Sequence, residues 1–142
     1  MKNLPLHKSV KLLIQCEKSP RNHSIITIFL NCALRLSELA SLDIDQVDNE
    51  VISVVGKGNK ERRIYLTPAA KKSINKWIQI RSSFDIPTNA LFISRNNRRM
   101  TTKAIQNVVK KYVIASGLDP KYISAHKLRH YGERYKMVSN FI

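Results

Sequence analysis

The segment from Asn22 to Leu34 limits the fold more than any other, because Ile25, Ile26, Ile28, Phe29, Leu30, Ala33 and Leu34 occupy nearly the whole circumference of a helix. A one-sided amphipathic helix can lie on a surface, but one that is apolar almost all round must be covered by other elements. The remaining chain has to supply that cover. Its 142 residues suffice for one domain with a real core and are too few for two ordinary ones. Before the central segment, Val10, Leu13 and Ile14 predict an amphipathic helix over about Leu6 to Lys18, closed by Pro20. After it, the β-branched run Val51 to Val55, a turn over Gly56 to Glu61 and the stretch Arg62 to Leu66 read as a hairpin. Thr67-Pro68 is an N-cap followed by proline at the first helical position, opening a helix to about Arg81 with Trp77 in the core. Leu91 to Ser94 predicts a third short strand, and Thr101 caps a helix to about Ser116 that Gly117 ends. The expected fold class is α+β, mainly α-helical with a small antiparallel β-sheet.

Charge then narrows the partner. The formal net charge is +15, and residues 1–50 carry six basic and six acidic groups, so residues 51–142 hold all of it. Such an excess points to a polyanion. No strongly basic amphipathic helix carries Trp or Phe on its apolar face, which favours nucleic acid over a membrane surface. The stretch Arg95-Asn96-Asn97-Arg98-Arg99 contains no acid, and Lys103, Lys110 and Lys111 continue it along the next helix. A charge run is often only a solvated face, but its continuity here favours contact with a phosphate backbone. Cys16 and Cys32 lie in apolar helical patterns, as buried thiols do in a reducing compartment. No signal-type core is present, and Thr27 and Asn31 interrupt the longest apolar stretch, so a cytoplasmic protein is expected.

Ser124 to His130, S-A-H-K-L-R-H, concentrates cations around Leu128. On a helix His126, Arg129 and His130 share one face, on which an arginine fork and a histidine could hold a phosphate. A solvated basic face and a zinc pair are the alternatives. Zinc is the weaker, since Lys127 stands where a metalloprotease helix needs Glu and no further ligands cluster nearby. Arg35 interrupts the central apolar pattern and needs an acceptor, either an anion or Glu38 three residues on. Gly56 and Gly58 match neither glycine-rich nucleotide fingerprint.

Taken together, A-L-R-L-S-E-L at 33–39, V-V-G-K-G-N-K-E-R-R-I at 54–64 and H-K-L-R-H at 126–130 resemble the catalytic domain of the tyrosine recombinase, or phage integrase, family, closest to its Xer-type and mobile-element members. The resemblance implies that Arg35, His126 and Arg129 surround a scissile DNA phosphate and that Lys57 reaches it from the hairpin turn. Arginines set in place beforehand would stabilise the charge of the transition state. The family lysine would protonate the leaving 5′ oxygen, and its histidine would assist proton transfer at a tyrosine nucleophile that joins the 3′ phosphate. No metal and no cofactor are implied. Lys60, Arg62, Arg63, Arg95, Arg98, Arg99, Lys103 and Lys127 are the expected DNA contacts.

The tail departs from this pattern. The family places a further His or Trp and then its tyrosine well downstream of the HxxR pair, whereas thirteen residues follow Arg129. Tyr131 and Tyr135 stand too close to Arg129 to swing opposite the leaving group. The expectation is a single, partial catalytic domain over residues 1–142, truncated before the nucleophile and lacking the family's N-terminal core-binding domain. Its expected partners are double-stranded DNA, further copies of itself or full-length recombinase protomers, and no membrane. Two functions remain open, a recombinase fragment inactive alone and a non-catalytic DNA-binding module that competes with a full-length integrase.

Overall fold

The computed structural model describes residues 6–48 and 50–134, without the side chains of Leu6 and of residues 130–134. Helix α1 (Leu6–Gln15) buries Leu12 and Leu13 and leaves Ile14 outside, and the turn that follows it buries Cys16. Helix α2 (Pro20–Asn31) is the central one, with Ile25, Ile26, Ile28 and Phe29 fully buried. Pro20 opens this helix rather than closing the one before. Ser19 Oγ accepts from Asn22 N at 3.3 Å, and proline suits the first helical position because its missing N–H would have no intrahelical partner there. The helix also ends earlier than expected, because Ala33 turns into the left-handed region at φ 53°.

A short helix α3 (Leu36–Ala40) and a single 3-10 turn (Ile44–Gln46) lead to the hairpin. Strands β1 (Val51–Val55) and β2 (Glu61–Tyr65) pair antiparallel with Val51 opposite Tyr65 and Val55 opposite Glu61. Ile52, Val54 and Ile64 enter the core, whereas Ser53, Val55 and Arg63 do not. The connecting turn needs left-handed backbone at Gly58 (φ 76°) and Asn59 (φ 61°), which glycine and asparagine accept most readily.

Helix α4 (Pro68–Ser82) is capped by Thr67 and brings Trp77 into the core, as the sequence predicts. The third strand does not form among the described residues. Ala90, Leu91, Phe92 and Ile93 are all buried. Side chains take carbonyls of this stretch, Trp77 Nε1 donating to Leu91 O at 2.8 Å and Arg81 Nε to Ala90 O at 2.8 Å. What remains is a pair of isolated bridges, Asp43 to Ala90 and Ile93 to Arg99.

Helix α5 (Thr102–Ala115) starts at the Thr101 cap, and the chain after it turns at Gly117 (φ 77°). Helix α6 (Ala125–Arg134) lies on α2 and is anchored by Ala125 and Leu128, both buried. Helices α1, α4, α5 and α6 all touch α2, which is the enclosure its composition demands. The architecture is therefore mostly helical with a two-stranded antiparallel sheet, one strand fewer than the sequence suggests.

Candidate functional site

The site begins at the elbow between α2 and α3. Ala33 holds left-handed backbone, a conformation that costs a residue with a β-carbon roughly 1–2 kcal/mol. Leu34 is fully buried beside it and anchors the bend, and Arg35 follows as the residue that precedes α3. From the other side, α6 delivers Arg129 to the same elbow. With Leu128 in the core, His126 and Arg129 share a helix face away from it. Arg129 Nε donates to Ala33 O at 2.9 Å, which fixes the plane of its guanidinium. Arg35, His126 and Arg129 then line one open cleft of about 870 Å³. Leu36, Val109, Ile123 and Ala125 supply its apolar lining, and Lys110 and Lys121 add two more cations. A concave surface with several cations and no carboxylate among its described lining residues suits an anion with an apolar body, as a nucleotide backbone is.

Of the two acceptors open to the Arg35 side chain, Glu38 is taken by other donors. The Glu38 carboxylate, only 7% exposed, accepts the backbone N–H of Arg35 at 2.8 Å and both terminal nitrogens of Arg62 at 2.7 and 2.9 Å. Burial would raise the pKa of this carboxyl, but those hydrogen bonds and the Arg62 and Arg35 charges outweigh it and hold it below the ordinary value. The Arg35 guanidinium makes no hydrogen bond or ion pair with the described residues. It is exposed at the cleft, the position an incoming anion would reach.

Three of the four expected catalytic groups thus meet in one place, and the fourth stands apart. Lys57 is exposed in the hairpin turn and does not line the cleft. Gly56 before it does lie against α3, since a β-carbon there would be 3.5 Å from both Glu38 Oε2 and Arg62 Nη1. Among the expected DNA contacts Lys60, Arg63, Arg95, Arg98 and Lys103 are exposed, and Lys127 is half-buried. Two others hold partners inside the chain. Arg62 grips Glu38, while Arg99 pairs with Asp43 and donates to Ala40 O and Leu42 O at 3.1 and 3.0 Å. Both were expected to face DNA because the acids they bind are distant in sequence. Lys121 was missed, for the irregular stretch after Gly117 offers no periodicity to place it.

No group of three or more His, Cys, Asp or Glu that could hold a metal occurs among the described residues. No helix among them is long and apolar enough to cross a membrane. The His130 and Tyr131 side chains and all of Tyr135 lie outside the described residues.

Comparison with known proteins places the fold and the family. The tyrosine recombinase XerC of Caldanaerobacter subterraneus subsp. tengcongensis is 42% identical over 130 residues, 89% of this chain and 37% of that protein. The XerC of Haemophilus influenzae strain Rd is 34% identical over 134 residues, 91% of this chain and 45% of the relative. The chain therefore spans less than half the length of either relative. Among solved structures, the XerA recombinase superposes with a TM-score of 0.85 at 23% identity, covering 93% of this chain and 49% of that one. XerH bound to its difH substrate gives 0.75 at 24%, covering 96% and 44%. The family model described as "Phage integrase family" matches residues 2–134, and together with the XerC relatives it shows that this chain belongs to the phage integrase family of tyrosine recombinases.

Proposed function

We propose that this domain binds duplex DNA and seats one backbone phosphate in the cleft between Arg35 and Arg129, for strand cleavage and rejoining in site-specific recombination. The observation that carries the reading is the convergence of Arg35, His126 and Arg129 on one cleft, with Arg129 held by the Ala33 carbonyl. Two arginines placed in advance would stabilise charge on the non-bridging oxygens of a phosphodiester under attack without reorganising. His126 would accept or donate a proton at the attacking group, and Lys57, closing in from the hairpin, would protonate the leaving 5′ oxygen. The XerH structure is a pre-cleavage complex with difH, and a lambda integrase tetramer binds a Holliday junction. By analogy, recombinase protomers around DNA are the proposed assembly.

Neither Tyr131 nor Tyr135 fits the spacing of the family's nucleophile, so the chain alone is expected to bind without cleaving. Incubation with a nicked suicide duplex should give no 3′-phosphotyrosyl adduct, while the same duplex is bound in a strongly salt-dependent way. Arg35→Ala and Arg129→Ala should each lower the slope of log K against log salt by about one. Folded variants that bind DNA as the parent does would overturn the cleft as the phosphate seat. An adduct abolished by Tyr131→Phe or Tyr135→Phe would instead make the chain a complete enzyme.

A further inference from the structure

Arg62 stands on a hairpin that its sequence marks as DNA-facing, yet both of its terminal guanidinium nitrogens are taken by one carboxylate, at 2.7 and 2.9 Å. That carboxylate, Glu38, also accepts the backbone N–H of Arg35 at 2.8 Å. One buried acid thereby joins the residue that opens the cleft to the strand that leaves the hairpin turn. Gly56, immediately before Lys57, lies against the pair, and its N–H donates to Lys60 O at 2.9 Å to close the turn. Few other contacts hold this end of the hairpin. Val54 and Ile64 are its outermost buried side chains, while Val55 is 57% exposed and residues 57–61 are all exposed. A two-stranded hairpin has little rigidity of its own. Without the ion pair, its turn would be free to tilt relative to α3.

We propose that Arg62 is a positioning residue: its grip on Glu38 holds the hairpin so that Lys57 reaches the phosphate seated at Arg35 and Arg129. This rests on the DNA reading above. A bidentate guanidinium–carboxylate pair sets direction as well as distance, whereas an ammonium at the same place supplies charge without orientation. The arginine therefore acts through Lys57 and makes no DNA contact itself.

The test is the salt dependence of duplex DNA binding, followed by fluorescence anisotropy, for the parent chain, Lys57→Ala, Arg62→Lys and the double variant. If Arg62 is a clamp, Arg62→Lys lowers the slope by about one although no charge is lost, and Lys57→Ala adds nothing on top. If Arg62 binds phosphate directly, Arg62→Lys leaves the slope intact and Lys57→Ala lowers it equally in both backgrounds, which overturns the proposal. Glu38→Gln separates the two by sign. Removal of a negative charge and release of Arg62 would tighten binding by a free cation, while loss of the clamp weakens binding to the level of Arg62→Lys. Thermal melts of each variant are the folding control, and the neutral pair Glu38→Gln with Arg62→Gln repeats the comparison without a buried charge. Flat salt dependence in the parent chain would overturn the DNA reading itself, and the clamp with it.

Discussion

The hairpin turn and the loop over residues 94–99 look alike in sequence, since each is short, basic and closed by an arginine, and each arginine ties back to the stretch 38–43. Arg62 reaches Glu38, and Arg99 reaches Asp43 together with the carbonyls of Ala40 and Leu42. The environments differ. Glu38 is 7% exposed, so its charge depends on the arginine, whereas Asp43 and Arg99 are each 37% exposed and water can serve them both. The same kind of pair, an arginine with a carboxylate, is thus a buried tie at one place and a modest surface tether at the other, and burial of the acid decides which.

Substitutions can break that contrast. The largest effect is expected from Arg62→Ala, which strands a buried carboxylate. Breaking a fully buried pair costs about 3–5 kcal/mol, and the 41% exposure of the Arg62 side chain reduces this to about 2–3 kcal/mol in denaturant unfolding. Arg99→Ala should cost about 1–2 kcal/mol, mainly from two carbonyls that lose a charged donor, with little from the half-exposed ion pair. Equal losses from the two substitutions would show that burial does not distinguish the loops.

A smaller effect should appear in the pH dependence. The folded pKa of Glu38 lies below its ordinary value of 4.5, so between those two values the unfolded chain binds more protons. Its contribution is complete above about pH 4.5 and is lost as pH falls through the folded pKa. Glu38→Gln should shrink that acid limb to the share of Asp48, whose pKa the backbone N–H groups of Glu50 and Val51 also lower, while Arg99→Ala keeps the whole of it. A separate limb belongs to His23. Burial, then the Lys76 charge, lower its pKa from 6.5, and stability falls as pH drops below that value because only the unfolded chain takes up the proton. His23→Asn should erase this limb alone.

The smallest stability effect is expected at the cations without such ties. Arg95→Ala with Arg98→Ala should change unfolding by within about 0.5 kcal/mol, as exposed substitutions usually do. The same pair should lower the slope of DNA binding by about two. An unchanged slope would mean that the loop does not meet the phosphate backbone.

Much of this was legible in the sequence because it is local. The central helix follows from composition around its circumference, the hairpin from alternation around Gly56 and Gly58, and the capped starts of α4 and α5 from Thr67 and Thr101. The motifs around Arg35 and His126–Arg129 also identified the family. Pro20 was misread for a local reason too, since the same residue that stops one helix is well suited to start another. Leu91 to Ser94 failed as a strand because Trp77 and Arg21, from different elements, use its Leu91 and Ile93 carbonyls.

Sequence by itself determined the central helix, the hairpin and the capped helix starts, and it marked Arg35, His126 and Arg129 for the site, because hydrophobic period and turn chemistry act between near neighbours. Only the tertiary structure decided what each cation does. Arg62 finds its acid 24 residues away, Arg99 finds Asp43 at 56, and Arg129 meets the Ala33 carbonyl at 96. No periodicity encodes such separations. A guanidinium's role depends on whether a desolvated acceptor lies within reach, and that is settled by how α3, the hairpin and α6 pack against the central helix.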